Sequence, residues 1–281
     1  MNKIALIGLT IVAALSQTYA ADSVGLMDTT KPSIQPTQTE TLTVEAVSPT
    51  ISKLSIAGSF GYESAYVFRG AKCADSSFQA SVEAGYPVLG GDIHAGLWTN
   101  QPIASGQSNE IDLYLGWTKP LTDSLTFDLG YTYYWYADTE TGLLRSNELY
   151  LGVVFDTSKT LGGVNLNPAI AYYYDWNLEA HTIELSMGYS FDLSDIAGVE
   201  GLSLDPNIYL GWSARGMPSA EWGPHQWSSG IYYGLSLNLN YRLNDDANVY
   251  IGGRWAGICP TNENASNPQQ LWGGAGVNFC L

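Results

Sequence analysis

The side chains that could do chemistry are charged ones, set at even spacing in otherwise apolar stretches. Carboxylates stand at Glu63, Glu83, Glu110, Asp112, Glu148, Asp175 and Glu184, and guanidinium groups at Arg69, Arg215, Arg242 and Arg254. Each sits where apolar and polar residues alternate, and always on the polar parity, which Asp92, Asp128, Asp192 and Asp205 share. Charges confined to one face of successive strands suit a wet interior with a field across it, favouring small polar or charged solutes. Acids gather in the first two thirds of the chain, and three of the four arginines come at the end. Wound into a closed sheet, they would form two walls of opposite sign.

The elements that position them are β-strands, because successive side chains of a strand point to opposite faces. Leu125, Phe127, Leu129, Tyr131, Tyr133 and Trp135 make one apolar face, with Thr126, Asp128, Gly130, Thr132, Tyr134 and Tyr136 opposite. Twelve such strands are predicted: 54–69, 77–88, 92–101, 109–118, 124–136, 147–155, 164–176, 181–192, 202–215, 230–243, 247–256 and 270–281. Tight turns at Leu89-Gly90-Gly91, Leu121-Thr122-Asp123 and Asn244-Asp245-Asp246 alternate with longer polar connections. Short periplasmic turns, long outer loops and an even strand number are the plan of an outer-membrane barrel. Outward rings also sort to strand ends. Tyr66, Phe68, Tyr133, Trp135, Tyr174, Trp176 and Trp212 gather near one edge, and Tyr86, Trp117, Phe155, Tyr189, Phe191 and Tyr241 near the other. Two aromatic belts around an aliphatic band match the two interfaces of a bilayer. The fold class is therefore all-β, a 12-stranded antiparallel transmembrane β-barrel.

Composition agrees. Only 14% of residues are charged, against nine Trp, nineteen Tyr and thirty Gly, where soluble domains carry ~25% charge. A net charge of −16 argues against nucleic acid, which needs a basic footprint. Residues 1–20 read as a cleaved export signal: Lys3, an apolar run from Ile4 to Leu15, and Thr18-Tyr19-Ala20 at the cut. Residues 21–52, rich in Thr, Pro, Ser and Gln, read as a flexible periplasmic lead, and 53–281 as the barrel.

Several stretches are similar to the TorF-type porin family of bacterial outer-membrane proteins. Ser64-Ala65-Tyr66-Val67-Phe68-Arg69-Gly70 resembles the family's strand-one signature. Asn109 to Trp117, Gly130 to Tyr134 and Asn147 to Tyr150 resemble further strands. The resemblance implies a small porin-like channel; it supplies no substrate and no catalytic residues.

Passive diffusion of small hydrophilic solutes is the function these features favour. Inward glycines (Gly61, Gly85, Gly96, Gly116, Gly130, Gly152, Gly188, Gly211, Gly234 and Gly252) would leave space for it. The alternative is a structural or surface-interaction barrel whose arginine–carboxylate pairs plug the lumen. Trp222, His225 and Trp227 in the predicted 216–229 loop could stack on sugar rings. An outer-membrane lipid hydrolase is a remote third reading: His181 projects outward without a neighbouring Ser or Asp, and His94 points inward. Cys73 and Cys259, in loops that barrel closure makes neighbours, are candidates for a bridge, which leaves Cys280 single. No Cys or His spacing suits a metal, and no cofactor is called for. Partners are membrane lipid, small polar solutes and, if the barrel oligomerises, copies of itself. Residues 40–46 (Glu40 to Ala46) resemble an energy-coupling box, although the lead is too short for the plug such receptors carry.

Overall fold

The computed structural model describes residues 54–107, 109–137, 145–219, 223–261 and 269–281. The expected signal, the lead and the 40–46 segment lie outside the described residues. The chain forms β1 (Ser55–Glu63), β2 (Tyr66–Phe68), β3 (Ala71–Ala74), β4 (Ser77–Val88), β5 (Gly91–Pro102), β6 (Asn109–Thr122), β7 (Leu125–Ala137) and β8 (Arg145–Phe155). It continues with β9 (Ala169–Asp175), β10 (Ala180–Gly188), β11 (Phe191–Asp192), α1 (Ser194–Ala197), β12 (Leu202–Ser219), β13 (Gly223–Asn244), β14 (Ala247–Pro260) and β15 (Gln269–Cys280).

Neighbours pair antiparallel from β1 through β4 to β10, β10 pairs with β12, and β12 runs through β15 back to β1. That ring closes twelve strands; β11 is a two-residue extension on β12. The fold is thus the expected 12-stranded antiparallel barrel of the outer-membrane type. Alternation dictates it, because a closed sheet with an apolar outer face leaves no unpaired edge in lipid. Phe60, Leu113, Leu115, Leu151, Ile170, Leu185, Leu210 and Ile251 stand exposed outside. The charges of the opposite parity turn inward. The first and last strands of the barrel start and end at the side that carries the tight turns, where the Leu281 amide donates to the Ile56 carbonyl at 2.7 Å. One of those turns, Leu89-Gly90, joins Val88 and Gly91 with φ of 54° and 75°, the type I′ geometry that follows strand twist.

The structure departs from the predicted strands at five places. Strand one stops at Glu63, and residues 66–74 leave the wall as a separate hairpin, β2–β3. Strand seven begins at Ala169, and strand eight breaks at Tyr189-Ser190. The predicted 216–229 loop is mostly extended chain, since β12 runs to Ser219 and β13 starts at Gly223. Strand four runs on past its predicted end at 118 to Thr122, so Lys119 lies within β6, with its ammonium 5.3 Å from the Trp117 ring centroid.

Candidate functional site: the barrel interior and its hairpin

The interior is built from the inward parity of the twelve strands. Glu63, Glu83, Glu110, Asp112, Glu148, Asp175, Glu184 and Arg254 all lie there, buried. Several of these carboxylates meet hydroxyl or guanidinium groups from other strands and from the hairpin. Tyr134 donates to Glu148 at 3.0 Å, and Tyr232 to Glu184 at 2.6 Å. The Tyr66 and Tyr136 hydroxyls bond Glu110, Tyr114 lies within electrostatic reach of Glu83, and Ser146 donates to Asp175. Arg254 Nη2 lies 3.0 Å from Glu63 Oε1. Nearer the turn end, His94 Nε2 is 3.1 Å from the Tyr150 hydroxyl, and Thr118 donates to Asp128 at 3.1 Å. Hydroxyls and ion pairs satisfy charge that would otherwise be costly to bury.

Several inward glycines are covered by rings rather than left as open space. Several stand directly across from an inward tyrosine: Gly96 from Tyr114, Gly130 from Tyr150, Gly211 from Tyr232, Gly234 from Tyr209 and Gly276 from Tyr250. A Cβ on Gly211 would sit 2.1 Å from the Tyr232 ring, and one on Gly130 2.2 Å from the Tyr150 hydroxyl. Each ring lies over the bare backbone of its partner, so the glycines are sockets for rings. Sequence reasoning missed this pairing; the signal was an inward Tyr opposite an inward Gly on the adjoining strand.

The hairpin packs inside the barrel as well. Arg69 and Gly70, with φ of 45° and 77°, make a two-residue turn between Phe68 and Ala71. Both faces of the hairpin are covered, each by a different wall. Ala65 and Val67 pack with Tyr209, Tyr232, Ala256, Ile258 and Trp272. Tyr66, Phe68 and Ala74 pack with Trp98 and Tyr114. Burying Val67 and Phe68 contributes roughly 1.5–3 kcal/mol each. At the tip, a Cβ on Gly70 would fall 2.5 Å from the Gly257 carbonyl, so only glycine fits against β14. Arg69 reaches Glu148 across the lumen, Nη2 to Oε2 at 2.8 Å. Tyr66 and Phe68, predicted to face lipid, therefore face inward. Alternation persists through them because a strand crossing the lumen still buries one face on each wall.

Outside the wall, a clasp holds the hairpin's base. Lys72 pairs with Asp75, and the Gln107 amide donates to Asp75 Oδ2 at 2.9 Å. The Lys72 ammonium, aided by Gln107, holds the Asp75 carboxyl below its ordinary range.

The other predicted residues are dispersed. Arg215 pairs with Glu179 at a strand end, with its side chain 61% exposed, and Arg242 faces Glu200 at the opposite rim. Both stand exposed at strand ends, apart from the buried interior acids, because strand-end arginines extend to acids in the connections. Cys73 is turned into the Tyr66–Trp98 cluster and forms no disulfide, while Cys259 stands exposed on β14, so the expected bridge is not made. His181 faces outward, its Nδ1 2.7 Å from the Tyr172 hydroxyl. Trp222 lies outside the described residues, and His225 and Trp227 are described only as backbone of β13. Among the described residues no cluster of three or more His, Cys, Asp or Glu could hold a metal ion.

Residues 46–213, more than half of the chain, match a family described as a bacterial protein of unknown function, Gcw_chp. The chain belongs to this family. No curated protein matches it. Among solved structures the Gcw_chp chain is similar to the NanC porin, at 14% identity and TM-score 0.48, covering 81% of this chain and 99% of that one. An outer membrane channel from Pseudomonas putida F1 gives 11% identity and TM-score 0.48 over 84% of this chain and 97% of that one. LpxR from Salmonella typhimurium gives 10% and 0.46 over 80% and 99%. Likeness at that level leaves the interior's chemistry to be read from this chain's own residues.

Proposed function

We propose that this Gcw_chp protein is a porin-like channel of the bacterial outer membrane, of the TorF type, passing small hydrophilic solutes by diffusion. The observation that carries the reading is an interior of carboxylates, guanidinium groups and hydroxyls inside an apolar exterior. A wall with that sidedness suits water within and lipid without. The β2–β3 hairpin, packed inside the barrel, acts in this reading as the gate, and passage requires it to yield. Residues 1–20 serve as the export signal, and the long connections face outward. Glu110, Asp112 and Glu148 give the opened lumen a preference for cations.

Burial of the Arg69–Glu148 and Arg254–Glu63 pairs favours a second reading, a structural barrel whose lumen stays plugged. Planar-bilayer conductance and liposome swelling with graded sugars and ions separate the two. A channel should give discrete current steps, more frequent when the hairpin is loosened. Silence of the full-length protein and of hairpin variants alike would leave the structural barrel. We read the protein as non-enzymatic, and phospholipid hydrolysis by purified protein would reverse that. Transport that collapses with the proton motive force would revive coupling through residues 40–46, and cross-linking in membranes would reveal any oligomer.

A further inference from the structure

Arg69 is seated in a cage that the barrel wall builds around a planar cation. Glu148 meets its guanidinium at 2.8 Å, and the carbon at its centre lies 5.2 Å from the Tyr173 ring centroid. Glu148 and Asp175 are direct partners across β8 and β9, and Glu184 on β10 lies within electrostatic reach of both Arg69 and Glu148. One buried carboxylate thus pairs with the buried cation, and two more lie close to that pair. The Tyr173 hydroxyl beside them is buried with no hydrogen-bond partner among the described residues. An aromatic face with adjoining carboxylates attracts guanidinium and ammonium groups, more strongly when water is excluded. The cation here comes from no wall strand. It arrives on the β2–β3 hairpin, whose turn holds Arg69 at φ 45°, a conformation costly for a non-glycine residue and common at ligand clamps and switches.

We propose that this cage is a recognition site for guanidinium- or ammonium-bearing solutes, which Arg69 occupies as a tethered stand-in while the hairpin is closed. The inference rests on the channel reading above, since a solute must reach the cage through the lumen. When the hairpin withdraws, Glu148, Asp175 and Glu184 lose their shared cation. A guanidinium solute replaces it better than sodium, because the planar fork matches a carboxylate and stacks on a ring. A captured solute then competes with Arg69 and holds the hairpin out.

The test uses the full-length protein with Arg69→Ala, and guanidinium chloride as the probe at low millimolar concentration. Sodium chloride of equal ionic strength and urea of equal concentration are the controls. In Arg69→Ala, guanidinium should refill the vacated cage, giving a saturable loss of current and an upward shift in the temperature of heat-induced unfolding. Neither control should do so. Arg69→Ala/Glu148→Gln should still conduct, with a lower open probability than Arg69→Ala, and should lose the guanidinium response. Arg69→Gln, which retains side-chain length, replaces Arg69→Ala if that variant does not refold. Current without a specific guanidinium response would overturn the cage and leave the channel standing. A guanidinium-specific stability shift without current in any variant would keep the cage and overturn the channel. Responses to guanidinium that urea or sodium reproduces would overturn the proposal.

Discussion

Removing either partner of the Arg69–Glu148 pair should open the barrel, and removing both should open it less than removing Arg69 alone. Both side chains are almost fully buried, 4% and 3% exposed, and their atoms meet at 2.8 Å. Breaking such a pair costs about 3–5 kcal/mol, chiefly because a buried charge is left without compensation. With ~1.4 kcal/mol per power of ten, the hairpin-out population should rise on the order of a hundredfold to a few thousandfold. The two variants should differ within that range. In Glu148→Gln, Arg69 still has Asp175 and Glu184 nearby, so the effect belongs at the lower end. In Arg69→Met, three carboxylates share no cation, so the effect belongs at the upper end. The double variant removes one of those acids, and Ser146 and Tyr232 still bond the two that remain. Its open probability should therefore fall back below that of Arg69→Met. Single-channel recording of the four proteins at one salt concentration measures all of this. If the double variant is open as often as the two single effects combined, charge compensation is not what seats the hairpin, and the reasoning is refuted.

Other perturbations probe the sockets, the clasp and the exterior. Gly211→Ala drives a Cβ into the Tyr232 ring, 2.1 Å away, and should destabilise the barrel by about 1–3 kcal/mol in urea unfolding from detergent. Leu113→Arg on the lipid face should cost ~2–4 kcal/mol if it lies near the midplane, read as loss of folded yield in liposomes; an unchanged yield would mean that Leu113 is not in lipid. The clasp should respond to acid. Lys72 holds Asp75 below its usual value, so the clasp is intact above the ordinary carboxylate pKa near 4 and is lost as pH falls through the lower folded value. Current should rise in that acidic window, and Asp75→Asn should show the same looseness at neutral pH without the pH step. Val67→Asp should unseat the hairpin, because a carboxylate cannot be buried among Tyr232, Ile258 and Trp272, and a current no higher than the parent's would contradict the lumen-closing role.

The wall was legible because lipid forbids charge on one face. The run from Leu125 to Trp135 became β7 with its expected register, and the interior acids fell where parity put them. The hairpin was not legible from period alone. Tyr66, Val67 and Phe68 alternate as a lipid-facing strand would, yet both of their faces are apolar contacts inside the barrel. What could have revealed it is Arg69-Gly70 between two short apolar runs, the pattern of a two-residue turn, followed within a few residues by a second polar–apolar alternation. Glycine misled in the same way. An inward Gly was read as empty space, but its partner across the strand decides whether space remains, and Tyr150, Tyr209 and Tyr232 occupy it. Arg215 and Arg242 sat on the correct parity, but strand ends escape the parity rule, because a long side chain there can reach Glu179 or Glu200 in a connection.

A plug made only for stability would not be built this way. Replacing a buried ion pair with well-packed apolar residues is often neutral or stabilising, and the clusters around Val67 and Tyr66 show that the lumen can be packed with apolar side chains. Yet the hairpin's tip carries an arginine in a left-handed conformation, set against a wall with more carboxylates than one cation neutralises. Both features weaken the closed state relative to an apolar plug, and both come into use only if the hairpin leaves, exposing a wet, acidic passage. The apolar faces of the hairpin favour closure, and the acids it covers favour replacing its arginine with a solute. A balance between those two tendencies is what the proposed gate requires.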